Sequence, residues 1–237
     1  MSTKNIIDIA NVHEKLRKIF NTTNKKGVLQ GSRYIRKGLS GKRVIFFPSA
    51  KNQSLMPCES RLEKDNCLFM ELDKEVVNYR TQPFSIRLNN KQSYTPDSVH
   101  IDINENITVR EVKFSGSLES CSLIEKLAKI KRLFSSEDIN FEILTEKELQ
   151  KNPDCYNRKL IYRSSHQSYH SFQIKEALEL VPENDGNYKL NIFRKDCSKI
   201  GLCPLIAEWL MSKGMIQYDD SKLLSEDSRI WKLGEEL

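Results

Sequence analysis

Two runs with extended patterns, 98–103 and 107–113, flank the polar triplet Asn104-Glu105-Asn106. A period of two is the pattern of a strand, and a short polar break between two such runs predicts an antiparallel hairpin. The rest of the chain is organised around this hairpin. Pro96-Asp97 stands at its entrance and Glu111-Val112-Lys113 at its exit. Alternation puts Glu111 and Lys113 on one face, and Asp97, at the start of the neighbouring strand, approaches Glu111. The two acids and the Val112 carbonyl are hard oxygen ligands of the kind that Mg²⁺ or Mn²⁺ prefers. Lys113 then lies beside an attacking water or a scissile phosphate, where it can orient or deprotonate the one and offset charge on the other. Each half of the pattern is weak alone, since Pro-Asp is common in turns and Glu-x-Lys on exposed strands.

A third acid precedes the hairpin. Glu63 lies early in a helix expected over 59–72, where a metal site would recruit it. Ser60-Arg61-Leu62-Glu63 also matches a capping box, in which Glu63 bonds back to the first turn. Glu59 is a rival ligand one turn earlier. Spacing leaves cap and ligand both open for Glu63.

The net charge of +6 is unevenly spread. Residues 1–50 hold eleven Lys/Arg against Asp8 and Glu14, whereas 137–237 hold fourteen basic and eighteen acidic residues. A basic front points to a polyanion. Arg33, Arg36, Lys37, Lys42 and Arg43, interleaved with Tyr34, are the candidate DNA-backbone contacts. The six cysteines form no CxxC pair, so reduced, mostly buried thiols are expected. A zinc site from Cys155, His166 and His170 lacks the spacing of a ligand knuckle. No apolar run reaches the roughly 20 residues needed to span a bilayer. The N-terminal residues lack the apolar core of a signal peptide, so a cytoplasmic protein with no membrane partner is expected.

Helical spacing of Ile6, Ile9, Val12, Leu16 and Ile19 predicts an amphipathic helix over 5–20. Residues 21–42 read as a loop or arm. A strand follows at 43–47, stopped by Pro48. Further strands are expected at 76–79 and 83–88. A helix over 118–134 buries Leu123, Ile124, Leu127, Ile130 and Phe134 and turns Lys126, Lys129, Lys131 and Arg132 outward. A strand at 141–145 and a helix from Glu146 follow. This order predicts an α/β fold with a mixed sheet flanked by helices. Residues 153–170 read as irregular. Helices over 171–181 and 202–213 and short strands at 215–218 and 229–233 outline a winged helix. The expected division is an N-terminal helix and basic arm (1–45), a catalytic domain (46–165) and a small partner-binding domain (166–237).

The series Glu59-Ser60-Arg61-Leu62-Glu63-Lys64-Asp65, Glu71-Leu72-Asp73, Val76-Val77-Asn78-Tyr79, Thr81-Gln82-Pro83-Phe84, Tyr94-Thr95-Pro96-Asp97 and Val109-Arg110-Glu111-Val112-Lys113 resembles the TnsA family of transposon endonucleases. The resemblance covers residues 55–150 and includes Asn140 to Leu149. It implies a restriction-endonuclease-like fold, of the PD-(D/E)xK type, with Mg²⁺ as cofactor. Glu63, Asp97, Glu111 and Lys113 are then catalytic, and Glu63, Asp97, Glu111 and Val112 hold the metal. Some members of the family have Gln where this chain has Glu111. The implied task is cleavage of the non-transferred strand at the 5′ ends of a transposon. A TnsB-like DDE transposase would cut the other strand, and a TnsC-like AAA+ regulator would contact a winged-helix-like C-terminal domain. Two other readings stay open: a restriction or repair nuclease of the same fold, and a non-enzymatic winged-helix regulator that binds DNA.

Overall fold

The computed structural model describes residues 6–20, 27, 44–89, 92–183 and 187–232. The basic arm, with Arg33, Arg36, Lys37, Lys42 and Arg43, lies outside the described residues. Two units divide the chain, Met1–Leu149 and Gln150–Leu237. The division therefore falls after Leu149, where residue 165 was expected. The architecture is mixed α/β.

The first unit opens on β1 (Ile6–Ile7), a 3₁₀ turn at Ile9–Asn11 and α1 (Val12–Phe20). The helix expected from residue 5 starts later. Asp8 is extended and its carboxylate accepts from the Ala10 amide at 3.4 Å, while Ile6 and Ile7 pair with Ser85 and Ile86. A hairpin follows, β2 (Ile45–Ser49) and β3 (Ser54–Cys58). Pro48 does not stop β2: it pairs in register with Leu55, as a proline can where the ladder asks no donor of its nitrogen. Strand β3 had no expectation attached to it.

Helix α2 (Arg61–Leu72) is capped by Ser60, whose side chain accepts from the Glu63 amide. It leads to β4 (Val76–Thr81), β5 (Ser85–Arg87) and β6 (Ser93–Tyr94). The central hairpin is β7 (Ser98–Asp102) and β8 (Ile107–Val112), antiparallel, with Ser98 opposite Arg110. Its turn is held by Asp102, which accepts from the amides of Asn104 and Asn106, and by Glu105 at φ +65°. Helix α3 (Cys121–Ser135) then carries the chain back to β9 (Asn140–Leu144), parallel to β8, and to the single turn α4 (Glu146–Leu149).

Strand order in the main sheet is β4-β7-β8-β9. One face packs Val99, Val109 and Phe141 against Leu127, Ile130 and Phe134 of α3 and Val12 and Leu16 of α1. Phe134 and Phe141 stack at 5.9 Å. Ile124, expected inside, is 48% exposed, so the buried stripe of α3 is narrower than its apolar residues imply. The other face meets α2 through a polar layer. Asn66 donates to Ser98 Oγ at 2.8 Å, and Arg110 lies over Phe69 while pairing with Glu142. Glu71, 3% exposed, accepts from Ser49 Oγ, Tyr79 OH and the amides of Ala50 and Lys51. That set of donors satisfies a carboxylate which burial would otherwise make costly.

The second unit holds α5 (Asp154–Ser164), α6 (Ser171–Leu180), α7 (Leu190–Lys199), α8 (Ile206–Ser212) and the antiparallel pair β10 (Gln217–Tyr218) and β11 (Ile230–Trp231). The stretch expected to be irregular is thus a helix. Its buried face carries Asn157, Arg158 and Ser164 beside Cys155 and Ile161, which hides the apolar period. Asn157 spans from α5 to the loop before β11, donating to Lys222 O and accepting from the Leu224 amide, each at 2.7 Å. Helix α7, not foreseen, buries Leu190, Phe193 and Cys197. Helix α8, shorter than expected, is buried from Ile206 to Met211, with α5 packed against it. Isolated bridges join Glu183 to Lys232 and Lys189 to Arg229. All six cysteines are free thiols, four of them buried.

Candidate active site

Antiparallel register sets the geometry of the site. Ser98 faces Arg110, so Asp97, one residue upstream, meets the end of β8. The Val112 amide donates to Asp97 Oδ2 at 2.8 Å, and the Gln82 amide donates to the Asp97 carbonyl at 3.0 Å. Ser85 and Thr95 hydroxyls, 2.6 Å apart, anchor the approach to Pro96-Asp97. Beyond β8 the chain stays extended, with the Lys113 amide donating to Leu144 O at 3.0 Å.

Lys113 Nζ sits at the focus. It lies 2.6 Å from Glu111 Oε1, 3.5 Å from Asp97 Oδ2 and 3.1 Å from the Val112 carbonyl oxygen, to both of which it donates. The three oxygens expected as metal ligands therefore converge on one cation, the lysine ammonium. Asp97 and Lys113 keep 18% and 30% of their side chains exposed, against 7% for Glu111. The cluster is therefore open to solvent on the Asp97–Lys113 side.

Glu63 takes both roles left open by spacing only in part. Its Oε2 accepts from the Glu59 amide at 2.8 Å and its Oε1 from Ser60 Oγ at 3.0 Å, while Ser60 Oγ accepts from the Glu63 amide. Ser60 thus caps the helix, while Glu63 reaches past it to the Glu59 amide, one residue earlier than a reciprocal capping box would place that bond. Glu63 is nonetheless near enough to influence the proton affinity of Asp97.

Tyr94 is the member that spacing missed. Its hydroxyl donates to Glu111 Oε2 at 2.5 Å, and its ring is buried edge-on to Phe134 and Phe141. It belongs to β6, in a different sheet from Glu111, so strand alternation carries no sign of the contact. Its place directly before Thr95-Pro96-Asp97 was the available signal.

The electrostatics follow from crowding acids in a half-closed site. Burial, and then repulsion by Glu111, push the Asp97 carboxyl up to about 7, although Lys113 and the Val112 amide pull the other way. Burial raises Glu63 as well, against the hydrogen bonds of its cap. Burial opposes charge on Lys113, but the carboxylates of Asp97 and Glu111 outweigh it and hold the amine above its ordinary value. Lys113 is therefore a firm ammonium at neutral pH. It can offset charge, and the deprotonation of water expected of it does not suit this state.

Burial and the neighbouring Glu111 thus keep a proton on Asp97 to about 7 in spite of the adjacent Lys113. Three hard oxygens converging on an ammonium form a donor set that a divalent cation also fits. Among the described residues no group of three or more His, Cys, Asp or Glu side chains stands assembled for a metal. The set at this site is two carboxylates and a carbonyl, with Glu63 turned to its cap. No protein-family model and no curated protein matches the sequence.

Proposed function

We propose that the chain is a Mg²⁺-dependent DNA endonuclease, the subunit of a heteromeric cut-and-paste transposase that cleaves the non-transferred strand at the 5′ ends of the element. The convergence of Asp97, Glu111 and the Val112 carbonyl on Lys113 carries this reading. A mixed sheet with α2 on one face and α3 on the other supports a restriction-endonuclease-like core.

Asp97, Glu111 and the Val112 carbonyl would hold the metal, joined by Glu63 if its carboxylate leaves the cap. Bound there, Mg²⁺ supplies a Lewis acid and lowers the pKa of a coordinated water. The chain's own contribution is positional. The Val112 amide fixes one Asp97 oxygen, and Tyr94 fixes one Glu111 oxygen. The Lys113 ammonium, on the open side, offsets the charge that grows on a phosphodiester under in-line attack. Mn²⁺ would substitute, given the all-oxygen donor set.

The second unit supports a partner-binding role. Its helices α6, α7 and α8 followed by the β10–β11 pair, with a bridge from Glu183 to Lys232, follow a winged-helix order. Its charge is balanced, 13 Lys/Arg against 13 Asp/Glu. Helix α8, which such a domain would offer to a DNA groove, is covered by α5. This weakens the reading of a DNA-binding regulator and favours a protein contact, such as a TnsC-like AAA+ regulator.

The test is strand-resolved cleavage of a transposon end by the chain with its DDE partner and Mg²⁺. Wild type should cut the 5′-ended strand, and Asp97→Ala and Lys113→Ala should each lose at least about 100-fold of that cutting. Full cutting by both variants overturns the site.

A further inference from the structure

Helix α3 exposes Lys126, Lys129, Lys131 and Arg132 while Leu127, Ile130 and Phe134 hold it to the sheet. Lys126, Lys129 and Arg132 recur at intervals of three and share one side of the helix. Glu125 is the only acid within α3. Among the described residues none of the four cations forms an ion pair. Elsewhere on the surface Lys18, Lys175, Lys199 and Lys222 each face an acid three or four residues away. Like charges stacked on one helix repel, so the cluster is costly to the fold by itself.

Its position gives it a use. Strands β8 and β9 are parallel, so α3 must return antiparallel to both, starting at the end of β8 that carries Glu111 and Lys113. At about 1.5 Å rise per residue the four cations lie roughly 8–17 Å along the helix from that end. The site itself gathers Glu63, Asp97 and Glu111, which repel a phosphodiester. A polyanion needs cations close by to be held there.

We propose that the face of α3 carrying Lys126, Lys129 and Arg132 is a surface for the phosphate backbone of duplex DNA, seating the flank of the substrate beside the acidic site. The proposal rests on the nuclease reading. It assigns the contact to phosphates, so it concerns affinity and register and leaves sequence choice to other residues.

The experiment measures binding of a labelled duplex to the full chain at several salt concentrations, with Ca²⁺ in place of Mg²⁺. A variant with Lys126, Lys129 and Arg132 all changed to Gln should lose about 0.9 from the salt slope for each contact removed, or roughly 2–3 in total. A control with Lys18, Lys175, Lys199 and Lys222 changed to Gln should keep the wild-type slope. The proposal falls if the α3 variant binds as wild type, if the control loses as much, or if wild type ignores duplex at low salt. Cutting of a transposon end under Mg²⁺, with the DDE partner present, is read separately. Binding that depends on α3 without any cutting keeps the surface and sinks the nuclease reading, and cutting with α3-independent binding does the reverse.

Discussion

The Tyr94 hydroxyl lies 2.5 Å from Glu111 Oε2 and donates to it, joining two residues of separate sheets. Glu111 is thereby shared, one oxygen to tyrosine and the other to Lys113. A ligand carboxylate oriented by a neighbouring donor loses about 10–100-fold in metal affinity when the donor goes. Tyr94→Phe keeps the ring packing against Phe134 and Phe141 and removes only the hydroxyl. It should weaken Mn²⁺ binding by that factor, measured calorimetrically, with the far-UV spectrum unchanged. Unaltered Mn²⁺ affinity would leave Tyr94 a purely structural residue.

Glu63 can be divided into its two roles by substitution. Glu63→Gln keeps an oxygen for the Glu59 amide and should cost under about 1 kcal/mol of stability. Glu63→Ala removes the bonds to the Glu59 amide and the Ser60 hydroxyl and should cost about 1 kcal/mol or more. If the carboxylate also leaves the cap to meet a metal, both variants lose cleavage to a similar extent despite their different stabilities. A Gln variant that cuts at the wild-type rate makes Glu63 a cap alone. Denaturant midpoints and initial rates on the same preparations decide it.

Much of this site was legible because strand geometry is strict. Alternation alone put Glu111 with Lys113, and the polar triplet 104–106 fixed the register that brings Asp97 in. What stayed hidden has physical reasons. The Tyr94 contact crosses between sheets. Helix α5 buries Asn157, Arg158 and Ser164, so its period looks polar. Helix α2 buries Asp65, Asn66 and Glu71, which no hydrophobic pattern foretells, because their burial depends on partners such as Ser49, Tyr79 and Ser98 far along the chain. Ile124 shows the converse: helical spacing marks it as apolar, while the width of the sheet decides that it stays outside.

Asp97 links the site to stability. Its folded-state proton affinity, about 7, lies above the ordinary value of 3.8. Below about pH 4 both folded and unfolded chains hold the proton, and no penalty applies. Between about 4 and 7 the unfolded chain releases it and the folded chain does not, so stability falls as pH rises. Above about 7 the penalty is complete. The full displacement corresponds to at most about 4 kcal/mol, and an 18%-exposed side chain beside Lys113 should show about 1–3 kcal/mol. In chelator, wild type should therefore lose stability relative to Asp97→Asn as pH climbs from 4.5 to 7.5. Parallel stability curves for the two proteins across that range would contradict a carboxyl whose charge is opposed by burial and by Glu111.

Lys113 and a metal ion make opposing claims on the same oxygens. In the absence of a divalent cation the ammonium satisfies Glu111, Asp97 and the Val112 carbonyl at once. A cation drawn to those oxygens must displace it, and the displaced ammonium is then free to face a phosphate on the open side of the site. Lys113→Met removes the competitor and leaves the buried Glu111 and the partly buried Asp97 carboxylates unneutralised. Without metal this variant should be less stable than wild type by about 1–2 kcal/mol, since one partner of a partly buried pair has gone. With Mn²⁺ the order should reverse, because the vacated oxygens bind the ion at least about tenfold more tightly and binding to the folded state alone adds stability. Cleavage should be lost all the same, for want of the ammonium. Thermal denaturation across a Mn²⁺ titration reads both effects in one series. If Lys113→Met binds Mn²⁺ more weakly than wild type, the lysine assists the metal and does not stand in for it, and the convergence on Nζ is then a structural ion pair.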